Sequence, residues 1–136
     1  MQESRLVIKP YSEDLKDFKV FCFNGKAKFY KVDFGRFIDH HANYYSCDGV
    51  LQPFWETNYP IIPDMEVSVS ETLPEMIKFA ELLAADVPFL RVDFYNIQGE
   101  VYFGEITFFP AAGMGLFSPV EWNLKIGEML QLPIRS

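Results

Sequence analysis

Two alternating runs joined by a short turn, Phe89 to Tyr95 and Val101 to Phe108, most narrowly limit how this chain can fold. Side chains on a strand alternate between faces, so Arg91 and Asp93 share one face while Leu90, Val92 and Phe94 fill the other. In the second run Glu105 and Thr107 share a face. The segment between them, Asn96-Ile97-Gln98-Gly99-Glu100, has the composition of a short hairpin loop, which makes the runs neighbours. Register then decides the chemistry. If paired residues have numbers summing to an even value, with Asp93 opposite Glu105 or one step displaced, both carboxylates point to one side within reach of a single cation. An odd-sum register separates them.

A second hairpin precedes it. Asp17 to Phe23 and Ala27 to Val32 are β-rich runs around Asn24-Gly25, the strongest short hairpin signal. Lys19 lies in phase with Phe21 and Phe23, which puts a cation on the same face as bulky apolar groups. The simpler account of Lys19 is a lysine near a strand end that snorkels to water.

Elsewhere the pattern is looser. Leu6-Val7-Ile8, closed by Pro10, suits an edge strand or a cut end. Asp33 to Val69 reads as an aromatic-rich loop with Pro53, Pro60 and Pro63, longer than structureless loops usually are, and hence either functional or partly ordered. His40 and His41 diverge in extended chain and read as ordinary loop histidines, while Arg36 and Trp55 are either site residues or packing. Thr72-Leu73-Pro74 opens a helix with a capping hydroxyl, and Leu73, Met76, Ile77, Ala80, Leu83 and Ala84 form its apolar stripe, with Phe79 also expected in the core. Pro110 to Gly115 is a turn of small residues that lets a ligand or another backbone approach. A last helix follows, with Ser118 and Glu121 as a capping box, Pro119 at its first position and Phe117 with Trp122 as a hydrophobic staple; Leu132-Pro133 ends it. The expected order is hairpin, loop, helix, hairpin, helix: an α+β chain with a largely antiparallel sheet.

At 136 residues the chain is expected to be a single domain, and 49% hydrophobic with 17% aromatic residues argues against disorder. No apolar run approaches the roughly 20 residues of a membrane span and the start lacks a signal-peptide plan, so a cytoplasmic location is the expectation. Twelve basic against nineteen acidic residues leave a net charge of -7, which opposes binding to nucleic acid. Cys22 and Cys47 have neither zinc spacing nor a disulfide framework and read as buried or free thiols.

The carboxylates of the central hairpin suit a hard cation such as Mg²⁺, which takes one or two carboxylates and completes its shell with water and phosphate oxygens. Asp93 and Glu105, with the Thr107 hydroxyl, supply such a set, and Arg91 is placed to bind a transferred phosphoryl group. The plainer alternative is a polar strand face on which Arg91 bridges two carboxylates as a surface ion pair. Paired carboxylates also serve glycoside hydrolysis, with Tyr44, Tyr45, Phe54 and Trp55 available to line a sugar groove or to pack the loop.

At these residues the chain resembles a known family. Asp17-Phe18-Lys19, then Cys22-Phe23-Asn24-Gly25-Lys26, then Arg91 to Tyr95, then Tyr102 to Phe108, then Gly127 to Leu132-Pro133, resemble the TupA-like ATP-grasp family of teichuronopeptide and cell-surface polysaccharide synthesis. The resemblance covers nearly the whole chain in the right order. It implies the C-terminal subdomain of an ATP-grasp fold and a carboxylate–amine ligase in which ATP phosphorylates a carboxylate and an amine attacks the acyl phosphate. On that implication Asp93 and Glu105 bind Mg²⁺, Glu105 bridging two ions, and Thr107 stands where the family has a metal-binding Asn. Arg91 faces the transferred phosphoryl group, and Lys19 and Arg36 lie on the ATP side. The implied partners are nucleotide and a carboxylate substrate. By length the chain corresponds to the C-terminal half alone, so the nucleotide-clamping part is expected to be absent. Self-association or pairing with that missing subdomain follows as an expectation, and the alternative function is a non-catalytic binding or scaffolding remnant. Val7-Ile8-Lys9-Pro10 and Ser46 depart from segments that are acidic in relatives.

Overall fold

The computed structural model describes residues 17–34, 40–62, 72–97, 99–108 and 117–129. The elements are β1 (Asp17–Phe23), β2 (Lys26–Phe34), β3 (His41–Ser46), β4 (Trp55–Glu56), α1 (Leu73–Ala84), β5 (Phe89–Ile97), β6 (Glu100–Thr107), β7 (Phe117–Ser118) and α2 (Glu121–Met129). Five strands form one antiparallel sheet in the order β3-β2-β1-β5-β6, and β4 pairs with β7 in a second, smaller sheet. The architecture is α+β, as expected.

Both predicted hairpins form, and both contain the same irregularity. Asn24 (φ 53°) and Gly25 (φ 84°) make a two-residue turn in which both positions need positive φ, the conformation that Asn-Gly tolerates best. Next to this turn the register is odd-sum, with Phe23 opposite Lys26 and Cys22 opposite Ala27. A bulge at Lys28 then shifts it, so that Phe21 meets Phe29 and Lys19 meets Lys31. In the second hairpin Ile97 meets Glu100 and Phe94 meets Phe103, also odd-sum. Here Gly104 is the extra residue, and beyond it Asp93 meets Glu105 and Arg91 meets Thr107. Each bulge reverses which face the rest of its strand presents. The two registers posed by the sequence therefore both occur in one hairpin, one on each side of the bulge.

Glycine is required at Gly104 by space. A Cβ there would lie 2.7 Å from Tyr95 Cε2 and 3.1 Å from the Asp93 carbonyl oxygen.

One face of the sheet is apolar throughout. Phe18, Val20, Cys22, Tyr30, Val32, Leu90, Val92 and Phe94 pack under the Leu73, Met76, Ala80 and Ala84 stripe of α1. Burying each of the larger side chains contributes about 1.5–3 kcal/mol. The opposite face is divided. Its turn-side half is aromatic: Phe21, Phe23, Phe29, Tyr44 and Phe89 are covered by Phe54, Phe117 and Ile126, with Trp122 partly buried against them. Its other half carries Asp17 and Lys19 from β1, Lys31 and Asp33 from β2, and Arg91 and Asp93 from β5.

Several expectations change. The segment read as loop after Asp33 contains β3, an edge strand of the main sheet, and β4. Its register was hidden because Ala42 to Tyr45 is buried on both faces and so shows no alternation. Phe79 and Leu83 of α1 are 45% and 46% exposed rather than core, since the sheet contacts only the narrower stripe above. The Thr72 hydroxyl makes no capping bond and is buried without a partner; the first turn is closed by Met76 N–H donating to the Thr72 carbonyl. α2 starts at Glu121, past Pro119, and Ser118 is not its cap: Ser118 lies in β7 with its hydroxyl 3.0 Å from that of Thr57. Asn123 closes this corner, accepting from Phe117 N–H and donating to the Phe117 and Val120 carbonyls. Phe117 and Trp122 still meet, through Phe54. The edge strand expected at Leu6-Val7-Ile8, the Pro110 to Gly115 turn and the Leu132-Pro133 stop lie outside the described residues.

Candidate functional site

The charged half-face is assembled by register. Lys19, on the central strand, sits opposite Lys31 on one side and Asp93 on the other, and Asp93 in turn sits opposite Glu105. Consecutive strands lie about 4.8 Å apart, so four charged residues from four strands form a row across the sheet.

Lys19 is not a snorkelling surface lysine. It is 9% exposed, and its ammonium donates to Asp17 and, at 3.2 Å, to Asp33 Oδ2. A terminal lysine reaches water along its stem, but a middle strand of five with a layer over part of its face gives no such path, so the charge is met by carboxylates. Burial alone would lower the Lys19 pKa; the charges of Asp17, Asp33 and Asp93 outweigh it and raise the value above 10.5.

Asp33 is the hub of the neighbouring pair. Oδ1 is 2.8 Å from His40 Nε2 and 3.5 Å from Lys31 Nζ, while Oδ2 takes the Lys19 bond. Burial pushes its pKa up, but the charges of Lys31 and Lys19 and the His40 contact prevail and hold it below 3.8. Lys31 also reaches Glu56 Oε1 at 2.5 Å, and the Tyr44 hydroxyl donates to the same oxygen at 2.8 Å. His40 rests on the Tyr59 ring, with centroids 4.2 Å apart, and His41 Nδ1 lies 3.0 Å from the Pro60 carbonyl.

Asp93 is 3% exposed and is gripped by one residue of its own strand. Arg91 donates from Nε to Oδ1 at 3.0 Å and from Nη2 to Oδ2 at 3.2 Å, a bidentate pair. Even so, burial outweighs Lys19 and Arg91, and the Asp93 pKa is raised above 3.8. Its negative charge is under-compensated. Glu105 and Thr107, on edge strand β6, are exposed and half-buried respectively.

Of the residues singled out from sequence, Lys19, Arg91, Asp93, Glu105 and Thr107 therefore share one face. Arg36 lies outside the described residues. Lys31, Asp33 and Glu56 were not singled out from sequence, Asp17 entered only within the family signature, His40 was read as an ordinary loop histidine, and Tyr44 as a residue of a sugar groove or of loop packing. A signal existed for some of them: Asp17 is in phase with Lys19, and Lys31 with Asp33, at strand spacing. Glu56 arrives through tertiary packing alone. Tyr44 and Phe54 are buried in the aromatic core and Tyr45 in the core under α1, which removes three of the four side chains a sugar groove would have used. Both cysteines are free, and burial first, then Glu81, pushes the Cys22 thiol up to about 12.

An antiparallel sheet with a helix on one face and a charged row on the other fits an ATP-grasp-like subdomain. The model of the TupA-like ATPgrasp family matches residues 2–131, and the chain belongs to that family. Its functional class is accordingly that of an ATP-grasp ligase. No curated protein and no solved structure matches the chain. No helix among the described residues is long and apolar enough to cross a membrane.

Proposed function

We propose that the chain supplies the metal and phosphoryl side of a Mg-ATP-dependent carboxylate–amine ligase acting in cell-surface polysaccharide or peptide–glycan synthesis. Family membership supports the class, and the observation that carries the reading is the cross-strand pair Asp93 and Glu105 beside Arg91. Among the described residues there is no cluster of three or more His, Cys, Asp or Glu side chains that could hold a metal. Two carboxylates still fit Mg²⁺, which commonly takes only one or two from protein and the rest from water and phosphate oxygens.

Asp93 and Glu105 would hold the ion, with the Thr107 hydroxyl beside them. When bound, Mg²⁺ neutralises charge developing on the transferred phosphoryl group. Arg91, forked onto Asp93 in this structure, would be the donor to that group; the nucleophile would be a substrate carboxylate that takes the γ-phosphoryl group as ADP leaves, and an amine would then displace phosphate from the acyl phosphate. Lys19 serves the ATP side indirectly: its ammonium is held by Asp17 and Asp33, and from the neighbouring strand its charge favours the ionised form of Asp93. Arg36 is assigned to nucleotide by sequence alone.

Calorimetric titration of Mg-ATP into the protein and into Asp93→Asn tests the reading. Binding heat in the former and its loss in the latter is the expected result; equal heats would overturn it. Binding without any ATP turnover would favour the alternative, a non-catalytic binding or scaffolding unit.

A further inference from the structure

The cations of the charged half-face differ in what holds them. Lys19 is bonded to Asp17 and Asp33, and Lys31 to Asp33 and Glu56. None of those carboxylates is a proposed metal ligand, so both lysines keep their partners whatever happens at Asp93. Arg91 is placed otherwise. Its two bonds go to the two oxygens of Asp93 itself, the lone pairs a cation would need.

Resting on the reading of Asp93 as a metal ligand, we infer that Arg91 is exchanged between two occupants: a divalent cation displaces it from Asp93, and the released guanidinium then takes an anionic phosphoryl group. The second step follows from the lost acceptors. A dication that takes the lone pairs of Asp93 leaves the Arg91 fork without its carboxylate on a half-buried side chain. The oxygens of an anionic phosphoryl group replace them. Among the described residues the cross-strand neighbours of Arg91 are Thr107 of the edge strand and Phe21, and neither carries a charge that would hold the released guanidinium. Glu105 lies on the diagonal from Arg91, within reach of a long side chain but shared with the cation. Cation and anion binding are therefore positively coupled through one residue, and by reciprocity each tightens the other.

Mn²⁺ followed by electron paramagnetic resonance provides a readout that needs no turnover. Sulfate serves as the tetrahedral dianion, against sodium chloride at equal ionic strength. In wild type, sulfate is expected to tighten Mn²⁺ binding about fivefold or more. Arg91→Gln is expected to bind Mn²⁺ about fivefold or more tightly than wild type without sulfate and to lose the sulfate effect, because the competitor and the anion donor are the same group. Arg91→Lys keeps the charge but not the fork, and should fall between the two; it also carries the comparison if Arg91→Gln does not fold. Mn²⁺ affinity that is equal in wild type and Arg91→Gln, or a sulfate effect that survives in the variant, overturns the exchange while leaving the metal site standing. Undiminished Mn²⁺ binding by Asp93→Asn, or none by wild type and both Arg91 variants, instead removes the metal reading beneath it.

Discussion

Asp93 and Glu105 face one another across β5 and β6 only because Gly104 is an extra residue in the second strand. Without that bulge the odd-sum register at the turn would continue, and Glu105 would join Phe103 on the face under α1. The first hairpin repeats the device at Lys28, where the shift brings Lys31 to Lys19 and Phe29 to Phe21. Two bulges thus gather the charged residues of four strands on one face while the aromatic residues beside the Asn24-Gly25 turn stay together.

Replacing Gly104 should damage both stability and site. An added Cβ would meet the Tyr95 ring at 2.7 Å and the backbone oxygen of Asp93 at 3.1 Å, and the second cannot move without disturbing the pair. Gly104→Ala is expected to cost about 1–3 kcal/mol in a denaturant titration. Tyr95→Ala in the same background should recover part of that cost as a coupling energy, and strict additivity would show that the ring is not what the new atom strikes.

Lys19→Met leaves two buried carboxylates, Asp17 and Asp33, without their shared cation. Loss of one partner from such a cluster costs about 3–5 kcal/mol, far more than loss of a surface lysine. The triple change Asp17→Asn, Lys19→Met, Asp33→Asn should restore much of the deficit. A Lys19→Met protein within about 0.5 kcal/mol of wild type, the usual range for surface changes, would contradict the buried placement.

Acid stability should separate Asp33 from Asp93. The folded pKa of Asp33 lies below 3.8, so its contribution is fully present above that value and is lost as pH falls through the folded pKa. Asp93 is raised, so its contribution is fully present below 3.8 and is lost as pH rises through its folded pKa. Asp33→Asn is therefore expected to flatten the acid limb of the stability profile and Asp93→Asn to steepen it. On the alkaline side Lys19, raised above 10.5, contributes below that value and loses its contribution as pH climbs through the folded pKa. Thermal unfolding of the two Asn variants across the acid range decides the matter; equal acid slopes would refute the assignment.

Asn43 offers a test of how the segment after β4 is docked. Its buried amide accepts from Ile62 N–H and donates to the Ile62 carbonyl, both at 2.8 Å, and donates to the Tyr45 hydroxyl at 3.0 Å. Asn43→Ala should cost about 1–3 kcal/mol, the penalty of orphaned polar groups. Hydrogen exchange at the Ile62 amide should speed up well beyond that of β1 amides; uniform acceleration would mean only global destabilisation.

What the sequence by itself determined is local. Asn24-Gly25 and Gly99 place two tight turns, alternation assigns Arg91 with Asp93 and Glu105 with Thr107, and the Leu73, Met76, Ala80, Ala84 spacing sets the inner stripe of α1. These are short-range matters of backbone torsion and side-chain period. Tertiary structure decided the rest. Lys19 became a buried bridge because two strands flank β1, Tyr44 and Phe54 became core because β7 and α2 close over them, and Glu56 joined the charged group from a separate sheet. Whether a charge is solvated or paired depends on which segments distant in sequence cover it, and burial of charge is favourable only when that cover brings an opposite charge. The meeting of Asp93 and Glu105 lies between the two. Parity arithmetic on the sequence named it as one of two registers, and the bulge that selects it falls at Gly104, where any side chain would strike the Tyr95 ring and the Asp93 carbonyl across the strands.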